Sequence, residues 1–173
     1  MGQDGQQMMD THARLEKKGH IRNFNIASWN VRSLDQPGKL DNVELEAERL
    51  KIDVLGISEV RWTWFNNITR EKYVFFYSGG EKHEHEVGIL VEKKLSSMID
   101  NIIPMSERVI GIQINSRPKP VSIIQVYAPT AVKPYDEIER FYEEIEEVKK
   151  KLRRDGPLII MGDLNAKVGN EAT

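Results

Sequence analysis

Four strings in this sequence place polar groups of complementary kinds directly after apolar segments. The string Leu158-Ile159-Ile160-Met161-Gly162-Asp163-Leu164-Asn165 sets a carboxylate and an amide two apart, past an apolar run and a glycine. An acid and an amide at the carboxyl end of a strand can hold and polarise a water facing a phosphate, because such ends line the ligand crevice of α/β sheets. The ordinary alternative is a pair of turn residues after a strand. Upstream, Asn30 closes Trp29-Asn30, Glu59 closes Ile57-Ser58-Glu59, and Tyr127 closes Val126-Tyr127. An amide, a carboxylate, a phenol and an acid–amide pair therefore stand at four separate strand ends. Taken alone, Tyr127 is an ordinary half-buried aromatic with a satisfied hydroxyl.

These positions depend on the elements that carry them. Phe24, Ile26 and Ser28 alternate with Asn25, Ala27 and Trp29, which predicts a strand running to Val31. After a turn at Asp35-Gln36-Pro37-Gly38, the spacing of Leu40, Val43, Ala47 and Leu50 predicts a helix from Leu40 to Leu50, followed by a strand at Ile52–Ile57. Strand, helix and strand in that order form a crossover unit, which puts Asn30 and Glu59 in one crevice. Arg61-Trp62-Thr63-Trp64-Phe65 follows, either as rings covering the sheet edge or as a stacking platform for bases. A strand at Tyr73–Tyr77 leads to a charged hairpin loop holding His83 and His85, a pair that lacks a third metal ligand in view. After a strand at Val87–Val91, Arg108–Ile114 and Val121–Val126 pair as a hairpin around Arg117-Pro118-Lys119-Pro120. The last helix spans Tyr135–Arg153, with Asp136 and Glu139 suited to its cap. The Leu158 strand reads as central, covered on both faces.

Composition narrows the function classes. The chain has 173 residues, enough for one domain with a sizeable core. With 25 Lys+Arg against 27 Asp+Glu, the net charge of −2 excludes nucleic-acid binding through a broadly basic surface. A nucleic-acid role would rest on a local patch or a metal site. The absence of cysteine excludes disulfides and thiolate zinc sites. No apolar run approaches spanning length and no signal-peptide core is present, so the sequence reads as a soluble intracellular protein without a membrane role. Residues 1–20 are polar and aperiodic and read as a mobile tail, leaving 21–173 as the ordered part of one domain.

The phrases WNVRSL, KIDVLGISEVRW, VGILVEKKL, VSIIQVYAPT and IIMGDLNAKVG, in this order, resemble the endonuclease/exonuclease/phosphatase superfamily. Its members include deoxyribonuclease I, abasic-site endonucleases and the endonuclease domains of non-LTR retrotransposons, and the phrases look most like the retrotransposon-type domains. The resemblance runs from Ile21 to Gly169. It implies a four-layered α/β sandwich of the deoxyribonuclease I type and a nucleus-located, retrotransposon-derived hydrolase that cleaves DNA phosphodiesters with Mg²⁺ or Mn²⁺. By that resemblance Glu59 is the metal ligand, and Asn30 supports both this ligand and the scissile phosphate. Tyr127 donates to a phosphate oxygen, while Asp163 and Asn165 orient the attacking water. These parts match what the reaction requires: a positioned water, neutralised phosphate oxygens and a stabilised leaving oxygen.

Three departures qualify the resemblance. Arg32 stands where abasic-site enzymes carry an acid, and Glu86 stands where a glycine is usual. The family's machinery ends with a further Asp and a Ser-Asp-His motif, whereas the given sequence ends at Thr173. The expectation is an incomplete copy, lacking its last strands, with weak or no activity and a sheet edge open to a protein partner. The alternatives are a non-catalytic interaction module of the same fold, or a phosphodiesterase directed at lipid or inositol phosphates.

Overall fold

The computed structural model describes residues 11–17, 20–81 and 85–165, with side chains from residue 24 onward. Its strands form two sheets. In the first, β1 (Thr11–Lys17), β2 (His20–Asn30), β3 (Val54–Ser58), β4 (Asn66–Thr69), β5 (Tyr73–Ser78) and β6 (Val87–Glu92) take the order β1-β2-β3-β6-β5-β4. In the second, β7 (Ile99–Pro104), β8 (Val109–Ile114), β9 (Val121–Tyr127) and β10 (Leu158–Asp163) take the order β10-β9-β8-β7. Helix α1 (Lys39–Arg49) is the crossover between β2 and β3, and α3 (Tyr135–Lys151) the crossover between β9 and β10; a single turn, α2 (Lys93–Ser96), follows β6. Both crossovers join parallel neighbours, with Asn30 opposite Ser58 and Asp163 opposite Tyr127.

Side-chain alternation sorts these elements into four layers. Ile26, Val54, Ile89 and Val91 of the first sheet meet Ile110, Ile112, Ile114 and Ile123 of the second in a buried central layer. On the outer face of the first sheet, Leu40, Val43 and Ala47 of α1 cover Ala27, Leu55, Ile57, Phe75 and Leu90. On the outer face of the second, Phe141, Ile145 and Val148 of α3 cover Val109, Ile124 and Val126. Helix, sheet, sheet and helix therefore stack as the deoxyribonuclease I-like sandwich that the sequence resemblance implied. No helix among the described residues is long and apolar enough to cross a membrane.

The structure corrects several expectations. Residues 11–17 do not belong to a tail: they pair antiparallel with β2, from Thr11 opposite Ile26 to Lys17 opposite His20. The other edge of β2 is taken by β3, so its free ladder accepts a strand through backbone bonds that need no apolar face. Residues 1–10 lie outside the described residues. Among the described residues the Leu158 strand pairs on one side, with β9, and stands at the end of the second sheet's strand order. Its inner residues Ile159 and Met161 join the core, while outward Leu158 and Ile160 are 40% and 45% exposed, because α3 lies over β8 and β9. Helix α3 is preceded by Pro134 rather than capped by Asp136, which sits in the first turn beside Glu137 and suits the helix dipole there.

Candidate active site

The inner faces of four strands change from apolar to polar toward one end of the sandwich. On β2 the order is Ile26, Ser28, Asn30; on β3 it is Val54, Gly56, Ser58, with Glu59 next. On β9 it is Ile123, Gln125, Tyr127, and on β10 Ile159, Met161, Asp163. Parallel pairing within each sheet brings these ends together, and sheet-on-sheet packing sets the two pairs face to face. The sequence-predicted residues thus meet in one half-buried crevice.

Asn30 is the junction. Its Nδ2 donates to Glu59 Oε1 at 2.9 Å and to Asp163 Oδ2 at 3.1 Å, while its Oδ1 accepts from the Arg32 N–H at 3.0 Å. One side chain is therefore fixed at both ends and holds a carboxylate from each sheet. The Tyr127 hydroxyl donates to the same Glu59 Oε1 at 3.4 Å. Burial pushes the Tyr127 phenol up, and the Glu59 and Asp163 carboxylates push it the same way, so the hydroxyl stays a proton donor at neutral pH. Asn165 turns back on the site: its N–H donates to Asp163 Oδ1 at 3.0 Å and its Nδ2 to the Ala128 carbonyl at 2.6 Å. It orients Asp163 and ties β10 to the loop after β9.

The backbone around this crevice is held in uncommon conformations. Glu59, Arg61, Arg32, Ser33, His85 and Asn165 all have positive φ, at 63°, 62°, 51°, 98°, 73° and 45°. Left-handed conformations cost about 1 kcal/mol or more each for residues with a side chain, and they cluster where surrounding bonds over-determine the chain. Here the Val60 N–H on the Glu86 carbonyl (3.1 Å) and the Val31 N–H on the Ser58 carbonyl (3.3 Å) fix the loops that present Glu59 and Asn30.

Two residues at the crevice were not picked out as site residues from the sequence. Arg108, 6% exposed, donates to the Tyr127 carbonyl (3.2 Å) and to Glu137 (2.9 Å), with its guanidinium 5.8 Å from the Tyr127 ring centroid. His85 stacks on the Tyr127 ring at 5.5 Å and 20°. Neither contact leaves a local signal, since each partner lies many positions away. His83 lies outside the described residues. In the aromatic string, Trp62 packs edge-on against Phe75 and Tyr77 at 5.6 and 5.2 Å, covering the sheet as expected, whereas Trp64 and Phe65 are 63% and 46% exposed.

The donor set suits a hard divalent cation. Glu59 and Asp163 offer oxygen ligands, of the kind Mg²⁺ and Mn²⁺ prefer, while Asn30 supports both acids through its Nδ2. Among the described residues no group of three or more His, Cys, Asp or Glu side chains could hold a metal, so an ion here would keep several waters. Mg²⁺ sites commonly do.

Fold and site together define a class. A profile of the Endonuclease/Exonuclease/phosphatase family matches residues 27–171, and the chain belongs to that family. It is similar to craniofacial development protein 2 of Bos taurus, with 37% identity over 147 residues that cover 84% of this chain and 25% of the relative. The chain thus spans about a quarter of the length of the curated relatives it matches. Among solved structures it is similar to the endonuclease domain of TRAS1, a telomere-specific non-LTR retrotransposon. That match has TM-score 0.59 and 20% identity, covering 84% of this chain and 62% of the other. It is also similar to a 3′ phosphatase from Neisseria bound to a product DNA hairpin. There the TM-score is 0.57 and the identity 17%, with 84% of this chain and 59% of the other covered. At these identities the two structures establish the shared fold.

Proposed function

We propose that this chain carries the metal- and phosphate-holding site of a divalent-metal-dependent phosphodiesterase acting on DNA. The observation that supports the reading best is the bridge from the single Asn30 nitrogen to both Glu59 and Asp163. It sets two acids of different sheets around one point, with a phenol donor beside them. Members of the family are typically dependent on divalent metals, and the Neisseria structure contains product DNA. A bound Mg²⁺ or Mn²⁺ would supply charge neutralisation at the phosphate and the leaving oxygen.

The protein's own groups divide the remaining work. Glu59, supported by Asn30, would hold the cation. Tyr127, kept protonated, donates to a phosphate oxygen. Asp163, fixed by the Asn165 N–H, orients the attacking water and accepts its proton. A positioned general base is commonly worth about 10² to 10⁴ in rate. With a net charge of −2, substrate binding depends on this local site rather than on a basic surface.

Paramagnetic Mn²⁺ titration followed by NMR tests the reading together with plasmid nicking. Broadening should centre on Asn30, Glu59 and Asp163, and Glu59→Ala should remove it. Any Mn²⁺-dependent nicking should disappear in Glu59→Ala and in Asp163→Ala. Broadening that spares the strand ends, or nicking that survives Glu59→Ala, would refute the assignment.

A further inference from the structure

One pleat below the crevice, where the inner faces pass from apolar to polar, the two sheets are joined by a polar bridge that is buried at Gln125 and Ser58 and half-buried at Ser28. Gln125 of β9 is 0% exposed. Its Oε1 accepts from the Ser28 hydroxyl at 3.3 Å, and its Nε2 donates to Ser58 Oγ at 2.9 Å. Ser58 Oγ in turn donates to the Val126 carbonyl at 3.5 Å. Space for the amide comes from Gly56: a Cβ there would stand 1.9 Å from Gln125 Oε1 and 2.7 Å from Met161 Cε. Each member lies next to a site residue: Ser28 two before Asn30, Ser58 one before Glu59, and Gln125 two before Tyr127.

Apolar faces interdigitate but are not directional, so small slips between sheets change their energy gradually. Hydrogen bonds between buried groups do not share that tolerance, because a slip leaves a desolvated donor or acceptor unmet. We propose that the Ser28–Gln125–Ser58 bridge is the positioning device of the crevice. It fixes the sheet-to-sheet register at which Asn30 and Glu59 reach Tyr127 and Asp163, and thereby sets the affinity for the cation. The inference rests on the reading of the crevice as a cation- and phosphate-holding site.

A built-in comparison exists. Gln113, 1% exposed, donates to Ser122 Oγ at 3.1 Å and accepts from the Arg153 N–H at 2.9 Å. Gln113 and Ser122 are directly opposite one another on β8 and β9, so this equally buried pair lies within one sheet, away from the crevice. Gln125→Leu, Ser58→Ala and the control Gln113→Leu are therefore compared in the full chain. The readouts are the Mn²⁺ dissociation constant and, without metal, the solvent exchange of the Asn30 side-chain amide. Gln125→Leu and Ser58→Ala should each weaken Mn²⁺ binding roughly tenfold, as loss of a partner that orients a ligand commonly does. Both should also speed exchange of the Asn30 amide, whereas Gln113→Leu should lower the Tm and move neither quantity. Should Gln125→Leu fail to fold, Ser58→Ala, which loses one hydroxyl, decides. Failure of both to fold would overturn the proposal, since the bridge would then hold the whole sandwich rather than its site. Unchanged Mn²⁺ affinity and Asn30 exchange in a folded variant, or equal changes in the control, would also overturn it. If the parent chain binds no Mn²⁺, the phosphodiesterase reading fails while Asn30 exchange still decides the bridge.

Discussion

Replacing Asn30 by aspartate keeps the side-chain volume and changes only what its nitrogen does. That nitrogen donates to Glu59 at 2.9 Å and to Asp163 at 3.1 Å, and the substitution turns both donations into repulsions. Hydrogen bonds to ionised groups contribute about 1.5–3 kcal/mol each. All three side chains are half-buried, so water screens them and the lower end applies. Close like charges at such a surface add roughly 1 kcal/mol or more. The expected penalty without metal at neutral pH is about 4 kcal/mol, or roughly 8–16 °C in Tm for a chain of this size. The introduced carboxyl, beside two others, titrates above its unfolded value near 4. Its charge penalty is therefore complete above the raised folded value and fades as pH falls toward about 4. Mn²⁺ should reverse the sign, because a third carboxylate becomes a ligand. Calorimetry of parent and variant, in EDTA and in excess Mn²⁺, measures both effects. A variant within about 2 °C of the parent in EDTA would show that the nitrogen does not bridge the acids. A large loss that Mn²⁺ leaves untouched would show that the acids do not form a cation site.

Three further outcomes are expected. Burial, with help from Glu92, Glu48 and Asp53, pushes the Tyr73 phenol from 10.0 up to about 12. The stability it contributes is intact below the unfolded value near 10 and is lost as pH rises through about 12; Tyr73→Phe should flatten that alkaline limb of the denaturant midpoint. Gly162 has φ 139° and a Cβ there would meet the Val126 carbonyl oxygen at 1.9 Å, so Gly162→Ala should cost about 3 kcal/mol or more in chemical unfolding. Ile160 is 45% exposed on an edge strand, and Ile160→Lys should leave the Tm within a few degrees while reducing concentration-dependent light scattering; unchanged scattering would refute the edge as the sticky surface.

The legible part of this protein was the part governed by local periodicity. Alternation through Phe24, Ile26 and Ser28 and the three- and four-residue spacing of Leu40, Val43 and Ala47 were enough to place Asn30 beside Glu59, because a right-handed crossover permits little else. The β8–β9 hairpin was legible for the same reason. The Leu158 run records a preference for burial and does not say how many neighbours a strand has; among the described residues β10 pairs with β9. Strand β7 escaped notice because Ile99–Pro104 lacks clean alternation, with a register irregularity between Ile99 and Asn101. The polar bridge was out of reach altogether: Ser28 and Gln125 are separated by 97 positions, and Gln125 in sequence is simply a polar residue in a strand.

The bond between Asn30 and Asp163 joins residues 133 positions apart. Sheet-local pairs such as β5 with β6 close early, since short loops cost little entropy and form fast, whereas this contact waits for β10 to dock. The crevice therefore depends on a contact that local folding alone cannot make. A cation can recognise only the finished molecule. It should act by mass action on the native state, slowing unfolding while leaving the folding rate almost untouched.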